Sequence, residues 1–453
     1  MMPTLALAVA GLRHRAATFA ATFTILLLGS TLVMGFGSML DTAGDPAVTS
    51  RDDESLVNMG TIVGGWGAVI VLFAVASTLT LAVRQRDAEM GLLRSVGATP
   101  RQVRRMVVGE AAVLGLAAAA CAVVPALLVG RLLVDLLHDT GQLGVGVDHR
   151  FGVVALGQGL AVAVGASVLA AHLAARRAGR MRAREALLAA TLERPGLTRV
   201  RRTAAALLLA GGLACAVVTA TVFDGRGTDA MQTAAQASIL TSIGLALLAP
   251  AIVGGVTAGL DGVLRRRGAA GFLANQHARH RRQELARALM PVIVFVGVGT
   301  GCFVMQDIEN AAVAASGAAR TTEQQNVETL NTVVVGMVAA FAAITLVTTL
   351  SAATAYRRGE FGRQRLAGAT PAQVLEALRL EAVLILVPGV VCGSLAASAT
   401  VVPFSLARSD GAVPASSWAV WAGIVAAAVA LTLVTTLGSA RRALRAPAVE
   451  AVA

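Results

Sequence analysis

Lysine is missing from this 453-residue sequence; all 38 basic residues are arginines. Two chemistries go with it. A phosphate-binding P-loop sets a lysine against the β- and γ-phosphates, and Schiff-base catalysis needs a lysine amine. Charge is scarce altogether. Only 14% of the residues are charged, against about 25% in soluble globular domains. Aromatics make up 4%, with a single Tyr. The four cysteines, Cys121, Cys215, Cys302 and Cys392, each lie in an apolar run without metal-ligand spacing. They read as small buried hydrophobes. The six histidines show no zinc-binding or catalytic spacing, and no Ser-His-Asp constellation can be assembled. No catalytic residue and no metal site are therefore expected. What is present in excess is apolar: 56% of residues are hydrophobic and the mean hydropathy is +0.72. Such a composition excludes a water-soluble enzyme, a disordered chain and a disulfide scaffold.

A helix crosses a bilayer core with about 20 mostly apolar residues. Ten runs meet or approach this length, near 17–39, 57–83, 107–134, 151–175, 203–223, 237–260, 289–306, 330–355, 377–404 and 417–438. They are continuous rather than alternating, so they predict helices and not barrel strands. The fold class expected is an all-α polytopic membrane protein. The first run is too long for a cleaved signal peptide and reads as a retained anchor.

Arginine distribution orients the spans. With ten crossings, 32 of the 38 arginines fall on one side and six on the other, which also holds 15 of the 26 acids. The positive-inside effect then places both termini in the cytoplasm. The arginines lie between apolar runs and aromatics do not interleave with them, so they point to a lipid bilayer and not to nucleic acid. The Arg176–Arg202 stretch reads as a topogenic, headgroup-facing patch.

The chain also repeats itself. At an offset of 271 residues, Glu89, Gly91, Arg94, Gly97, Ala98, Thr99, Pro100, Gln102 and Val103 meet Glu360, Gly362, Arg365, Gly368, Ala369, Thr370, Pro371, Gln373 and Val374. Glu110 meets Glu381 and Cys121 meets Cys392. A four-span module thus occurs twice, six spans apart and facing the same way, unlike an inverted repeat. The expected division is 1–185 for the first module, 186–268 for a central pair of spans, and 269–453 for the second module.

The repeated loop has a definite predicted shape. Gly97 and Gly368 can end a helix in the left-handed conformation. Thr99 and Thr370 act as N-caps, Pro100 and Pro371 take the first helical position, and Gln102 and Gln373 complete capping boxes. The result is helix, sharp bend, helix. It can serve as a rigid turn between neighbouring spans or as a docking knob on the cytoplasmic face.

These residues resemble a known pattern. Glu-x-Gly-x-x-Arg-x-x-Gly-Ala-Thr between the second and third spans of a four-span module is similar to the FtsX-like (MacB-type) permeases of ABC transporters. The resemblance covers about 57–185 and 272–445. The ten-span duplicated arrangement resembles bacterial single-chain permeases associated with peptide-antibiotic resistance and export. It implies a non-catalytic subunit of the inner or plasma membrane. Its partners would be separate cytosolic ATPase subunits, two per permease, which supply ATP and Mg. By the same resemblance, Glu89, Gly91, Arg94, Gly97, Ala98 and Thr99, and Glu360, Gly362, Arg365, Gly368, Ala369 and Thr370, form the coupling elements. It further implies an amphipathic substrate (a peptide, an antibiotic or a lipid-like molecule) that is exported, or a force passed outward. The outer loops near 40–56 and 307–329 are short where relatives often carry a large extracytoplasmic domain. The second copy has Phe361, Arg363 and Gln364 where the first has Met90, Leu92 and Leu93, which makes the two docking sites unequal. Two rival functions are signalling to an external cell-wall enzyme and proton-driven secondary transport.

Other residues carry smaller expectations. Glu110 and Glu381 are membrane acids and thus functional candidates, or pair with Arg104, Arg105 or Arg379. Arg131 and Asp135 are spaced for an i,i+4 pair. Thr345, Thr348, Thr349, Ser351, Thr354, Thr432, Thr435 and Thr436 bond their own helices or line a polar path. Pro291, Pro388 and Pro403 mark possible kinks.

Overall fold

In lipid every backbone polar group must find a partner inside the protein, and long apolar runs satisfy this as helices. The computed structural model describes residues 16–45, 48–84, 87–144, 146–172, 198–223, 228–259, 282–315, 322–355, 357–409, 411–445 and 447, and every regular element among them is helical. In chain order these are α1 (Ala16–Ala43), α2 (Ser50–Asn58), α3 (Gly64–Arg84), α4 (Asp87–Ser95), α5 (Pro100–Asp139), α6 (Val153–Leu160), α7 (Arg199–Thr221), α8 (Thr228–Leu247), α9 (Ala249–Gly259), α10 (Arg282–Ala315), α11 (Thr322–Ala355), α12 (Arg358–Leu366), α13 (Pro371–Ser409) and α14 (Ser416–Leu444). π-helical turns at Met59–Val63 and Ala161–Gly165 extend α2 into α3 and α6 onward to His172. Nine of the described helices are long and apolar enough to cross a membrane. The protein is thus an all-α, multi-pass membrane protein.

The expected crossing at 237–260 is not one straight helix. It is the pair α8 and α9, bent by 61°. Pro250 lacks the N–H that would continue the ladder. The Leu247 carbonyl, whose helical donor would be the Ala251 N–H, accepts from the Arg201 guanidinium at 2.6 Å, while that N–H bonds the Leu248 carbonyl at 2.9 Å. By contrast, helices α10 and α13 run uninterrupted through Pro291, Pro388 and Pro403.

The chain forms two compact units, Met1–Leu192 with Arg320–Val334, and Glu193–Ala319 with Val335–Ala453. In the first, α1 packs against α3, α5 and α6. Gly115 lets α5 and α6 close up, since a Cβ there would sit 2.7 Å from the Ala163 carbonyl oxygen. In the second, α8, α10 and α13 pack together through small residues, as membrane helices do where no hydrophobic force separates them from lipid. The Thr400 hydroxyl accepts from the Ser238 N–H at 3.0 Å and donates to the Ala234 carbonyl. Those two groups are the i and i−4 partners of one helical hydrogen bond, so Thr400 is inserted into the α8 ladder.

Each unit also caps one helix from another. Gly152, the N-cap of α6, has no side chain to offer its first N–H groups. Asp41 at the end of α1 accepts from Gly152 (2.9 Å), Val154 (3.1 Å) and Ala155 (2.8 Å) instead. In the second unit Asp307 of α10 accepts from the Ser416 and Ser417 hydroxyls at 2.8 and 2.6 Å, at the start of α14. A carboxylate at a helix N-terminus also meets the positive end of its dipole.

The cysteine expectation holds for Cys302, which is buried, but Cys121 is exposed. An apolar run in a membrane protein faces lipid as readily as core, so apolar context does not fix burial.

Candidate functional site

The two repeated loops fold alike. Helix α4 ends at Gly97 with φ +103°, and α12 ends at Gly368 with φ +96°. The Ala98 N–H donates to the Leu93 carbonyl and the Ala369 N–H to the Gln364 carbonyl, each at 3.0 Å. These six-residue bonds close both helices in a Schellman turn, which requires the left-handed residue that glycine supplies. The next helix opens two residues later. Thr99 N–H donates to Gln102 Oε1 (2.8 Å) and Gln102 N–H to Thr99 Oγ1 (3.3 Å). Thr370 and Gln373 repeat this at 2.9 and 3.3 Å. Both are reciprocal capping boxes, with Pro100 and Pro371 first in α5 and α13. The predicted helix–bend–helix is present in both copies.

One apolar side chain anchors each short helix. Met90 is buried among Leu79, Val103, Val107, Ala111, Ala170 and Ala171. Phe361, its counterpart at the 271-residue offset, is buried against Val374, Leu378 and Ala440. Val103 corresponds to Val374 and Val107 to Leu378, so the two pockets use matching positions.

The polar residues divide into inward and outward sets. Arg357, just before α12, makes a forked ion pair to Glu381 of α13, with Nη2 to Oε1 at 3.1 Å and Nη1 to Oε2. Its Nε reaches Glu360 of α12 at 3.1 Å, and its guanidinium carbon lies 5.3 Å from the centre of the Phe361 ring. Burial works to lower the Arg357 pKa, but Glu381 foremost, and Glu360, raise it above its ordinary value. The cation is therefore held charged. Arg365 donates to the Leu444 carbonyl at 3.2 Å, at the end of α14, where a cation complements the helix dipole.

Glu360 and Arg365 thus face inward, and Gly362 is buried, whereas Gly368 and Thr370 are exposed and Ala369 is half-buried. In the first copy Gly97 and Thr99 are exposed, and Gly91 and Ala98 half-buried. The side chains of Glu89 and Arg94 lie outside the described residues. The outermost side chains of the first knob are Leu92 and Val96, 68% and 88% exposed. The second presents Arg363, Leu366 and Ala367.

Arg357 is the residue that sequence reasoning missed. Glu381 pairs with it and not with Arg379, which is exposed. The signal was available, because Arg86 and Arg357 also match at the 271-residue offset, three positions ahead of the quoted motif. Beside this cluster lies a cleft of about 60 Å³ lined by Leu285, Leu350, Thr354, Arg357, Glu381 and Ile385, among others. That is room for a few waters and too little for an amphipathic substrate. Thr345, Thr348 and Thr354 bond carbonyls of their own helix, as expected. No ion pair joins Arg131 and Asp135; both act on His149 instead.

Comparison with known proteins agrees with the duplication. No curated protein matches the chain at a significant level. Residues 61–183 and 332–448 both match the family described as FtsX-like permease C-terminal, together more than half of the chain. Each matched stretch holds one knob with its capping box. The chain belongs to the FtsX-like permease family, the membrane subunits of ABC transporters, which generally pair with cytosolic ATPase subunits.

Proposed function

We propose that this protein couples ATP hydrolysis in two cytosolic ATPase subunits to export of an amphipathic molecule, or to a force delivered at the outer face. The ATP and Mg are held by those subunits, since the chain lacks the lysine a P-loop needs. Its place is a bacterial inner or plasma membrane with both termini in the cytoplasm, a reading supported by the 32 arginines on one side. The knobs at Glu89–Thr99 and Glu360–Thr370 are the coupling elements. The observation that carries this reading is the double occurrence of one capped, anchored turn, each copy showing its bend to solvent. A connecting turn alone has no need of an 88% exposed valine at its tip.

Purification of the full-length chain from its native membrane, followed by ATPase assay and identification of bound subunits, tests the proposal. Lysine-bearing P-loop subunits are expected to co-purify. Leu92→Glu with Val96→Glu should reduce their retention at least tenfold, because charge then replaces the apolar tip. Retention unchanged by that pair, and by Arg363→Glu in the second knob, would overturn the docking role.

A further inference from the structure

The two copies differ at the outward positions of the knob and match at ionisable residues behind it. The outward positions have diverged, with Leu92 against Arg363, Leu93 against Gln364 and Val96 against Ala367. Besides Arg94 and Arg365, three ionisable residues have not: Arg86, Glu89 and Glu110 match Arg357, Glu360 and Glu381. In the second copy these three are one contact cluster. Their side chains are 16%, 12% and 5% exposed, in the order Arg357, Glu360, Glu381. Glu110 of the first copy is as buried as Glu381, each at 4%.

We propose that Arg357 is the positioning residue that clamps the second knob to its spanning helix, joining α12 to α13 through Glu360 and Glu381. This deepens the coupling reading above and rests on it. A nine-residue helix does not hold its shape or direction unaided. The bend at Gly368 is a natural point of flexure. Glu381 lies ten residues into α13, about 15 Å along the helix axis at 1.5 Å per residue. A guanidinium fixed at that point and to α12 makes a brace across the bend. A push on the knob then turns α13, where without the brace it would be absorbed at the glycine. Arginine suits the task, since its planar fork engages one carboxylate with two nitrogens and leaves Nε for the other. The membrane acid Glu381 is thereby a clamp residue rather than a proton carrier.

The test is a distance measurement on the full chain with its bound ATPase subunits. Nitroxide labels are placed at Arg358→Cys on α12 and Val391→Cys on α13, both exposed, in a background where the four native cysteines are replaced. Glu360→Gln is the first variant, because it unhooks α12 while leaving the buried Arg357–Glu381 fork intact. Its unfolding midpoint should stay near that of the parent, while the 358–391 distance distribution broadens at least twofold and loses its response to ATP. The charge exchange Arg357→Glu with Glu381→Arg again assembles two carboxylates about one guanidinium, and should restore a narrow distribution that Arg357→Gln alone lacks. Parental width in both Glu360→Gln and Arg357→Gln overturns the clamp. Absence of ATPase subunits from the parent overturns the coupling reading alone, since the label distances report on the clamp in either case.

Discussion

At corresponding positions the first knob shows Leu92 and Val96 to solvent and the second shows Arg363 and Ala367. Beneath that surface the two are built alike, with Met90 and Phe361 as anchors and a capped turn at Gly97 and Gly368. The difference separates two kinds of constraint. Residues that hold the turn meet the protein's own helices, which are the same in both copies. Residues at the tip are exposed, and there the copies differ, with Leu92, Leu93 and Val96 on the first and Arg363, Leu366 and Ala367 on the second.

The comparison breaks most severely at the ion cluster. Arg357→Gln removes the forked ion pair of buried Glu381, and breaking a buried pair typically costs about 3–5 kcal/mol. Arg86→Gln should cost the same if the copies are equivalent, and thermal unfolding of both variants in detergent decides this. A small effect at Arg86 alone would confine the clamp to the second copy. The anchors come next. Phe361→Ala should cost about 3–5 kcal/mol as a large buried side chain is lost. Phe361→Met should cost less than about 1.5 kcal/mol, since the first copy carries Met at that position. Smaller effects are expected at the bends. Gly97→Ala and Gly368→Ala each place a Cβ at positive φ and should cost about 1–2 kcal/mol. Gly91→Ala has open space around it and should instead gain about 0.5–1 kcal/mol through helix propensity.

The mildest contrast lies at the Asp41 and Asp307 caps. Near the first, His149 bonds Ser38 Oγ at 3.0 Å. Its pKa is lowered from 6.5 by burial and then by Arg131, against the opposing pull of Asp135 and Asp41. The unfolded chain therefore takes up this proton first. Stability present above about pH 6.5 is lost as the pH falls through the folded-state value. His149→Gln should flatten that pH dependence in unfolding experiments, whereas a variant at Asp307 should leave it in place.

Much of the knob was legible in the sequence because its chemistry is local. Glycine, threonine, proline and glutamine at fixed spacing determine a bend and a capping box within a few residues, and the structure has both. The clamp was harder to read, because Arg357 and Glu381 are 24 residues apart and an exposed Arg379 offered a nearer partner. The broken crossing at Leu248 was hidden for a related reason. Pro250 was visible in the sequence, but Pro291, Pro388 and Pro403 were equally visible and their helices continue. What distinguishes the break is Arg201, 46 residues away, which takes the Leu247 carbonyl.

By itself the sequence determined that this chain is helical, that it crosses a membrane many times, and that it carries one turn twice. Those properties follow from hydropathy, charge asymmetry and short-range capping, which act along the chain. Only the tertiary structure decided which acids are braced, which tip residues are exposed, and which carboxylate caps which helix. These depend on side chains brought together from distant helices, where burial and hydrogen-bond geometry choose among candidates that the sequence leaves equal.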